Sequence, residues 1–449
     1  MRAKLITTLY KNDAVEQTTE ERAFCPDEKN QELNLINLYP EITYQTVEAF
    51  GGAITEAVGM TLKKVPRSLA DEAIKSYFGP EGIGYKAIRT HLDSCDFSSG
   101  NYSAVEQKED TDFSTFTLKH DEQNIIPYIK AAYLAAGEKL PVMLSPWSPP
   151  AFMKSNGSRD GGGKLKKSYY EAWAKYIRRY IEEYRKRDIN VKMLSVQNEP
   201  NAVQSWDSCI FTPEEEKDFL RSYLVPQLKK SGLSSIELYI WDHNKERIFE
   251  RAKAEIDEST DAMIDGLAFH WYSGDHFDAL RLVREKYPGK KLLFSEGCIE
   301  HSRFDGSRQL RNAQMYAHDM IGNLNAGTNT FVDWNIVLDE QGGPNHVGNY
   351  CEAPIICDTK EGKLYKKLSF YYIAHFSKYI KPGAKRIAST KYTSDIEVTA
   401  VDNADETLTA VLLNRTANDL PVVIRLCGQL LELTIRKESI STAIINKKS

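Results

Sequence analysis

Between about residue 46 and residue 380, short runs of β-branched and other apolar residues alternate with longer stretches of helical spacing, and this alternation restricts the fold more than any other feature of the chain. Eight runs are predicted as strands: Val47–Gly52, Tyr85–Leu92, Val142–Ser145, Met193–Gln197, Leu238–Asp242, Leu267–His270, Leu292–Ser295 and Thr330–Trp334. Each is followed at once by polar or aromatic residues. Eight βα units that close on themselves form a (β/α)8 TIM barrel, and 449 residues leave room for such a barrel and a companion domain.

The helical stretch between the third and fourth runs shows the pattern. Tyr169, Trp173, Tyr176, Ile177, Tyr180, Ile181 and Tyr184 recur at helical spacing, with Arg178, Arg179, Glu182 and Glu183 between them. An aromatic stripe of this kind is read as the inner face of an outer helix, in preference to a cofactor or sugar platform. After Lys381-Pro382-Gly383 the pattern changes to short alternating runs, Ile396 to Ala400, Leu408 to Leu412, Val422 to Leu426 and Leu431 to Ile435, which predict antiparallel strands. The first 45 residues carry similar runs and are too few to fold alone. The expected organisation is therefore a catalytic barrel over residues 46–383 and a side β-sandwich domain built from both chain ends, residues 1–45 and 384–449.

A net charge of −5, with basic and acidic residues interspersed, excludes the concentrated positive surface that nucleic acid requires. No apolar run is long enough for a membrane span, and the start of the chain lacks the apolar core of a secretory leader. Seven cysteines without metal-type or C-x-x-C spacing read as reduced thiols, and the expectation is a cytoplasmic protein. Neither H-E-x-x-H, a phosphate loop nor a G-x-S-x-G elbow occurs, so no metal or nucleotide cofactor is expected. Gly82-Ile83-Gly84-Tyr85-Lys86-Ala87 imitates a dinucleotide fingerprint, but these glycines precede a strand where the fingerprint must follow one.

In a barrel of this type the site lies at the C-terminal ends of the strands. Those ends carry Asp96, Trp147, Asn198 with Glu199, Asp242 with His243, His270 with Tyr272, Glu296, and Asp333-Trp334-Asn335. Glutamates after strands four and seven converge across the barrel mouth, the arrangement that cleavage of a glycosidic bond needs. Such a pair divides the work between an acid whose pKa is raised and a carboxylate kept ionised, and Arg89 within the second strand is placed to hold Glu296 anionic. Trp147, Trp271, Trp334 and Tyr272 offer flat apolar faces to a sugar. Asn198 is placed for a sugar 2-hydroxyl and Asp96 for other hydroxyls. His243 and His270 are read as hydrogen-bond partners of carboxylates or backbone, not as metal ligands.

The motifs Phe50-Gly51-Gly52-Ala53-Ile54-Thr55-Glu56, Ser94-Cys95-Asp96-Phe97-Ser98, Leu144-Ser145-Pro146-Trp147-Ser148-Pro149-Pro150, Gln197-Asn198-Glu199-Pro200, His270-Trp271-Tyr272, Ser295-Glu296-Gly297-Cys298 and Val332-Asp333-Trp334-Asn335 occur in this order. Together they resemble glycoside hydrolase family 30, and its glucosylceramidase-like branch in particular. The resemblance implies Glu199 as acid/base and Glu296 as nucleophile, with Asp96, Trp147, Asn198, Tyr272 and Trp334 contacting the sugar and Arg89 partnering the nucleophile. It also implies a side β-sandwich built from both ends of the chain.

The segment Trp241-Asp242-His243-Asn244-Lys245 departs from the animal lysosomal members, and their paired N-terminal cysteines have only Cys25 as a counterpart. The expected activity is that of a retaining, exo-acting β-glycosidase on a small β-linked saccharide or glycoside, first of all a β-glucoside. β-Xylosidase and β-1,6-glucanase are the alternatives within the family, and a non-catalytic carbohydrate-binding barrel is the alternative of another class. Oligomeric state is not legible.

Overall fold

The computed structural model describes residues 1–107 and 110–447, so positions 108–109 of the barrel span and 448–449 of the companion span lie outside the described residues. Eight parallel strands close a barrel: Ala49–Ala53, Ala87–Leu92, Val142–Pro146, Val191–Ser195, Glu237–Asn244, Gly266–His270, Lys291–Glu296 and Thr330–Asp333, taken below as the first to the eighth. Neighbours in sequence are neighbours in the barrel, and the eighth strand pairs with the first. The predicted fourth strand, Met193–Gln197, is moved two residues toward the N-terminus, because past Ser195 the chain leaves regular pairing to form the site. Val47 ends a strand of the companion domain instead of starting the barrel.

Side-chain alternation along the strands fills the interior in layers. Met143, Met193, Tyr239, Ala268 and Leu293 make one buried apolar cluster inside the barrel. Two residues further along the same strands stand Ser145, Ser195, Trp241, His270 and Ser295, so the next layer toward the C-terminal rim turns polar. The fifth strand breaks the alternation. Its register against the sixth passes from Trp241 opposite Ala268 to His243 opposite Phe269, a bulge that leaves Asp242 unpaired. Trp241 and Asp242 have φ of 75° and 47°. Trp241 consequently joins the outer core, and Asp242 enters the polar layer that Trp241 would otherwise occupy.

The Gly51-Gly52 pair of the first strand is required by close packing. A Cβ on Gly51 would lie 2.1 Å from the Ala87 carbonyl oxygen, and one on Gly52 2.3 Å from Ile336 Cγ2. The aromatic stripe lies on the helix Tyr170–Lys186, where Trp173, Tyr176, Tyr180 and Tyr184 are fully buried on its inner face. The hydroxyls of Tyr176 and of Tyr180 and Tyr184 donate to Asp93 and Asp121 respectively, giving a largely apolar face two buried polar anchors.

A ten-stranded sheet forms the companion β domain. Arg2–Lys11 pairs with Ser439–Asn446, and Leu35–Val47 pairs antiparallel with Ala384–Lys391 and parallel with Leu420–Leu426, so strands from both ends of the chain share one ladder. The sheet encloses its own apolar core, which includes Leu5, Ile36, Val398, Leu412, Ile424 and Ile445. Buried His375, on the barrel side, bonds to Thr8 and Thr442 of the sheet at 2.7 Å each.

Candidate active site

Glu199 lies four residues beyond its strand, held there by main-chain bonds to both neighbours. Asn198 N–H donates to the Pro146 carbonyl at 2.8 Å, and Glu199 N–H to that of Asp242 at 2.9 Å. Its φ is 47°, a left-handed conformation uncommon for a non-glycine residue, and strain of this sort collects at functional sites. Glu296 ends the seventh strand opposite His270, at another break in register.

A buried guanidinium connects the two sides. Arg89 is wholly inaccessible, and its Nη1 donates to Glu296 Oε2 at 2.6 Å, Nη2 to Asn198 Oδ1 at 2.8 Å and Asp242 Oδ2 at 3.0 Å, and Nε to Ser145 Oγ at 3.1 Å. Tyr272 OH donates to the other Glu296 oxygen, Oε1, at 3.1 Å. Both nucleophile-candidate oxygens therefore have donors. Asn198 Oδ1 is committed to Arg89, which leaves the amide nitrogen as the group it can offer a hydroxyl.

Burial alone would push the Asp242 carboxyl up, but Arg89 and then His270 hold it well below the usual carboxylate range. Asp242 Oδ1 accepts from Ser295 Oγ at 2.5 Å and lies 3.1 Å from His270 Nε2. His270 Nδ1 faces Glu199 Oε1 at 3.3 Å. Burial opposes charge on this imidazole, yet Glu296, Asp242 and Glu199 around it raise it to about 9. Glu199 behaves contrary to the expectation of a raised acid. Burial is again the largest influence and upward, but the positive charge that His243 and His270 carry at low pH brings the carboxyl down to about 2. Burial and the Glu199 charge raise Glu296, against His270 and Arg89. His270 thus competes with Glu199 for the proton of this site, a relation that strand-end positions could not disclose.

Glu199, His270 and Glu296 each offer a ligand-type atom, and the three atoms lie within 4.8 Å of one another. The cation beside them is Arg89, which with Tyr272 already takes both Glu296 oxygens, so the group reads as an acid–base cluster and not as a metal centre.

Trp147 and Trp334 stack with ring centroids 5.3 Å apart and planes at 20°, and Arg89 Cζ lies 5.0 and 5.2 Å from their centroids. Both rings are buried, so one another and Arg89 take up much of the surface expected to face a sugar. Trp271 is corrected outright. It packs between Phe294 and Tyr316, donates Nε1–H to the Cys298 carbonyl and forms part of the outer core instead of the mouth. Asp96 Oδ2 accepts from Asn345 and Asn349 at 3.1 and 3.2 Å, and burial, with the charges of Glu296 and Glu199, pushes its carboxyl up to about 7.

Several positioning groups carried no legible signal. Arg159 Nε donates to Asp207 at 2.6 Å, its Nη1 donates to the Ser148 carbonyl at 2.8 Å and reaches Asp93 at 3.5 Å, and its Nη2 donates to the Ser94 carbonyl. It joins the loops after strands two, three and four. Glu56 accepts from Ser99 N–H and Asn124, fastening the loop that bears Asp96.

Two carboxyl groups converging over the axis of a (β/α)8 barrel, with an arginine and a tyrosine on one and imidazoles on the other, suit cleavage of glycosides. The comparisons agree. The glycosyl hydrolase family 30 TIM-barrel domain matches residues 47–380, and the family 30 β-sandwich domain matches residues 383–443. The chain is a glycoside hydrolase. It belongs to glycosyl hydrolase family 30. Lysosomal acid glucosylceramidase of Mus musculus is 31% identical over 407 residues, 87% of this chain and 79% of that protein. The crystal structure of SrfJ from Salmonella typhimurium superposes with a TM-score of 0.94 at 37% identity, covering 100% of both chains. An endo-β1,6-glucanase structure superposes at 0.88 with 25% identity, again over 100% of both.

Proposed function

We propose that this chain is a retaining, exo-acting β-glycosidase of β-glucosides, with Glu199 as acid/base and Glu296 as nucleophile. The observation that carries the reading is the spacing of the carboxyl groups. Oxygens of Glu199 and Glu296 approach within 4.8 Å of one another, a close pairing that suits one carboxylate attacking the anomeric carbon directly while the other serves the leaving oxygen. The glucosylceramidase relative supports the choice of sugar. Asn345 and Asn349, past the eighth strand, bond Asp96, past the second, and the exo-action proposed here puts the terminal sugar on that side of the mouth.

In the first step a Glu296 oxygen bonds to the anomeric carbon as the glycosidic bond breaks, and the leaving oxygen takes a proton from Glu199. That proton comes from His270 Nδ1 across 3.3 Å. Asp242 retains the hydrogen on Nε2, so Nδ1 is the ring nitrogen free to exchange. Once Glu296 is glycosylated, Glu199, ionised beside the imidazoles, serves as the base that deprotonates the attacking water.

The test is covalent labelling by a 2-fluoro-β-glucoside. The wild-type chain is expected to be labelled on Glu296, the Glu296→Gln variant to remain unlabelled, and Glu199→Gln to be labelled but released slowly. Labelling of Glu296→Gln sinks the nucleophile assignment. The endo-β1,6-glucanase relative motivates a second reading. Rapid cleavage of internal bonds in a β-1,6-glucan, with aryl β-glucosides and β-xylosides untouched, favours that one.

A further inference from the structure

The fifth-strand bulge places a second histidine against Glu199. Because Trp241 and Asp242 are both left-handed, the two consecutive side chains Asp242 and His243 reach the site, where a regular strand would direct one of them away. His243 Nε2 lies 3.7 Å from Glu199 Oε1, the same oxygen that His270 Nδ1 meets at 3.3 Å. The ring of His243 rests on that of Trp241, with centroids 5.1 Å apart. Its Nδ1 is buried, with no hydrogen-bond partner among the described residues. The neutral ring can therefore place its hydrogen on Nε2, facing Glu199. A ring held here with Nδ1 unpartnered calls for a reason, and the approach of the other nitrogen to the carboxylate supplies it.

We propose that His243 is a positioning residue acting through Glu199: with His270 it clamps Oε1 between two imidazoles, directs Oε2 to the glycosidic oxygen, and switches acid catalysis off when it takes a proton. The inference rests on Glu199 being the acid/base. The charged and titratable groups around the His243 ring are Glu199, His270, Asp242 and Glu246, and burial lowers its pKa from the ordinary histidine value despite the carboxylates. His243 is then neutral when the enzyme works. As pH falls it becomes cationic, Glu199 faces two imidazolium ions, and its carboxylate ceases to hold the proton that the leaving group needs.

The experiment is the pH profile of kcat/KM for His243→Gln and the wild-type chain, on phenyl β-glucoside, whose leaving group needs the proton, and on 2,4-dinitrophenyl β-glucoside, whose leaving group does not. For the phenyl substrate the acidic limb of His243→Gln is expected to move down by about one pH unit, with the basic limb unmoved, and for the dinitrophenyl substrate the two chains should share one acidic limb. Superposed phenyl profiles overturn the proposal, and so does an equal loss at every pH with both substrates, the mark of a purely structural role. Should His243→Gln fail to fold, histidine ring NMR of the wild-type chain decides: an imidazole titrating at the midpoint of the acidic limb is expected, and none doing so refutes the role. Glu199→Gln separates the two levels. If that variant keeps the wild-type dependence on leaving group, the acid/base reading itself has failed; if it loses only the phenyl substrate while His243→Gln is unchanged, the His243 role alone has failed.

Discussion

Arg89 Nη1 and Glu296 Oε2 lie 2.6 Å apart, and the same guanidinium bonds Asn198 and Asp242, so one buried cation holds the fourth, fifth and seventh strands of the barrel mouth to the second. Arg89→Met leaves two buried carboxylates without their counter-charge. Loss of one partner from such a pair costs about 3–5 kcal/mol, and thermal unfolding should show it. Arg89→Lys keeps the charge but cannot reproduce the fork. It should fold better than the methionine variant and lose about 100-fold in kcat, a magnitude usual for one misplaced electrostatic group.

In the proposed mechanism His270 sets the alkaline limit. Its imidazole, raised to about 9 by Glu296, Asp242 and Glu199 against burial, there supplies the proton of Glu199, so kcat/KM for a poor leaving group should fall as pH rises through that region. His270→Gln should lose about 100-fold or more with phenyl β-glucoside and much less with the dinitrophenyl compound, as measured by initial rates.

Asp96 trades stability for position. Its carboxyl is raised by burial to about 7 in the folded chain from an ordinary aspartate value of 3.8, so the folded state binds this proton more tightly than the unfolded state does. Stability is therefore lost as pH rises from about 4 toward 7, where the buried group must ionise. Asp96→Asn should raise the melting temperature at pH 8, have little effect at pH 4, and lower kcat/KM at both. An unchanged melting temperature at pH 8 would contradict the argument.

Arg159 tests the support beneath the mouth. Arg159→Met strands Asp207 and weakens the hold on Asp93, with an expected cost of about 3–5 kcal/mol if the site does not relax. Activity should fall although no part of the substitution enters the acid–base cluster, and proteolysis should find new cleavage sites in the loops around residues 94–105 and 154–165.

The barrel was legible because its signal is local: strand and crossover periods are properties of neighbouring residues, and strand ends such as Asn198-Glu199 and Ser295-Glu296 follow from them. Trp271 shows the limit. It adjoins Tyr272, and which of the two enters the mouth depends on how the chain turns after His270, a choice that a single residue of slip reverses. The sequence alone determined that these carboxylates, imidazoles and aromatic rings sit at the rim of a (β/α)8 barrel. Only the tertiary structure decided that the bulge at Asp242 turns two adjacent side chains to the site, that Arg89 occupies its centre, and that His270 stands between Asp242 and Glu199. The physical reason is that each depends on charges and backbone contacts between strands far apart in the chain, whose strength is set by separation and burial in three dimensions.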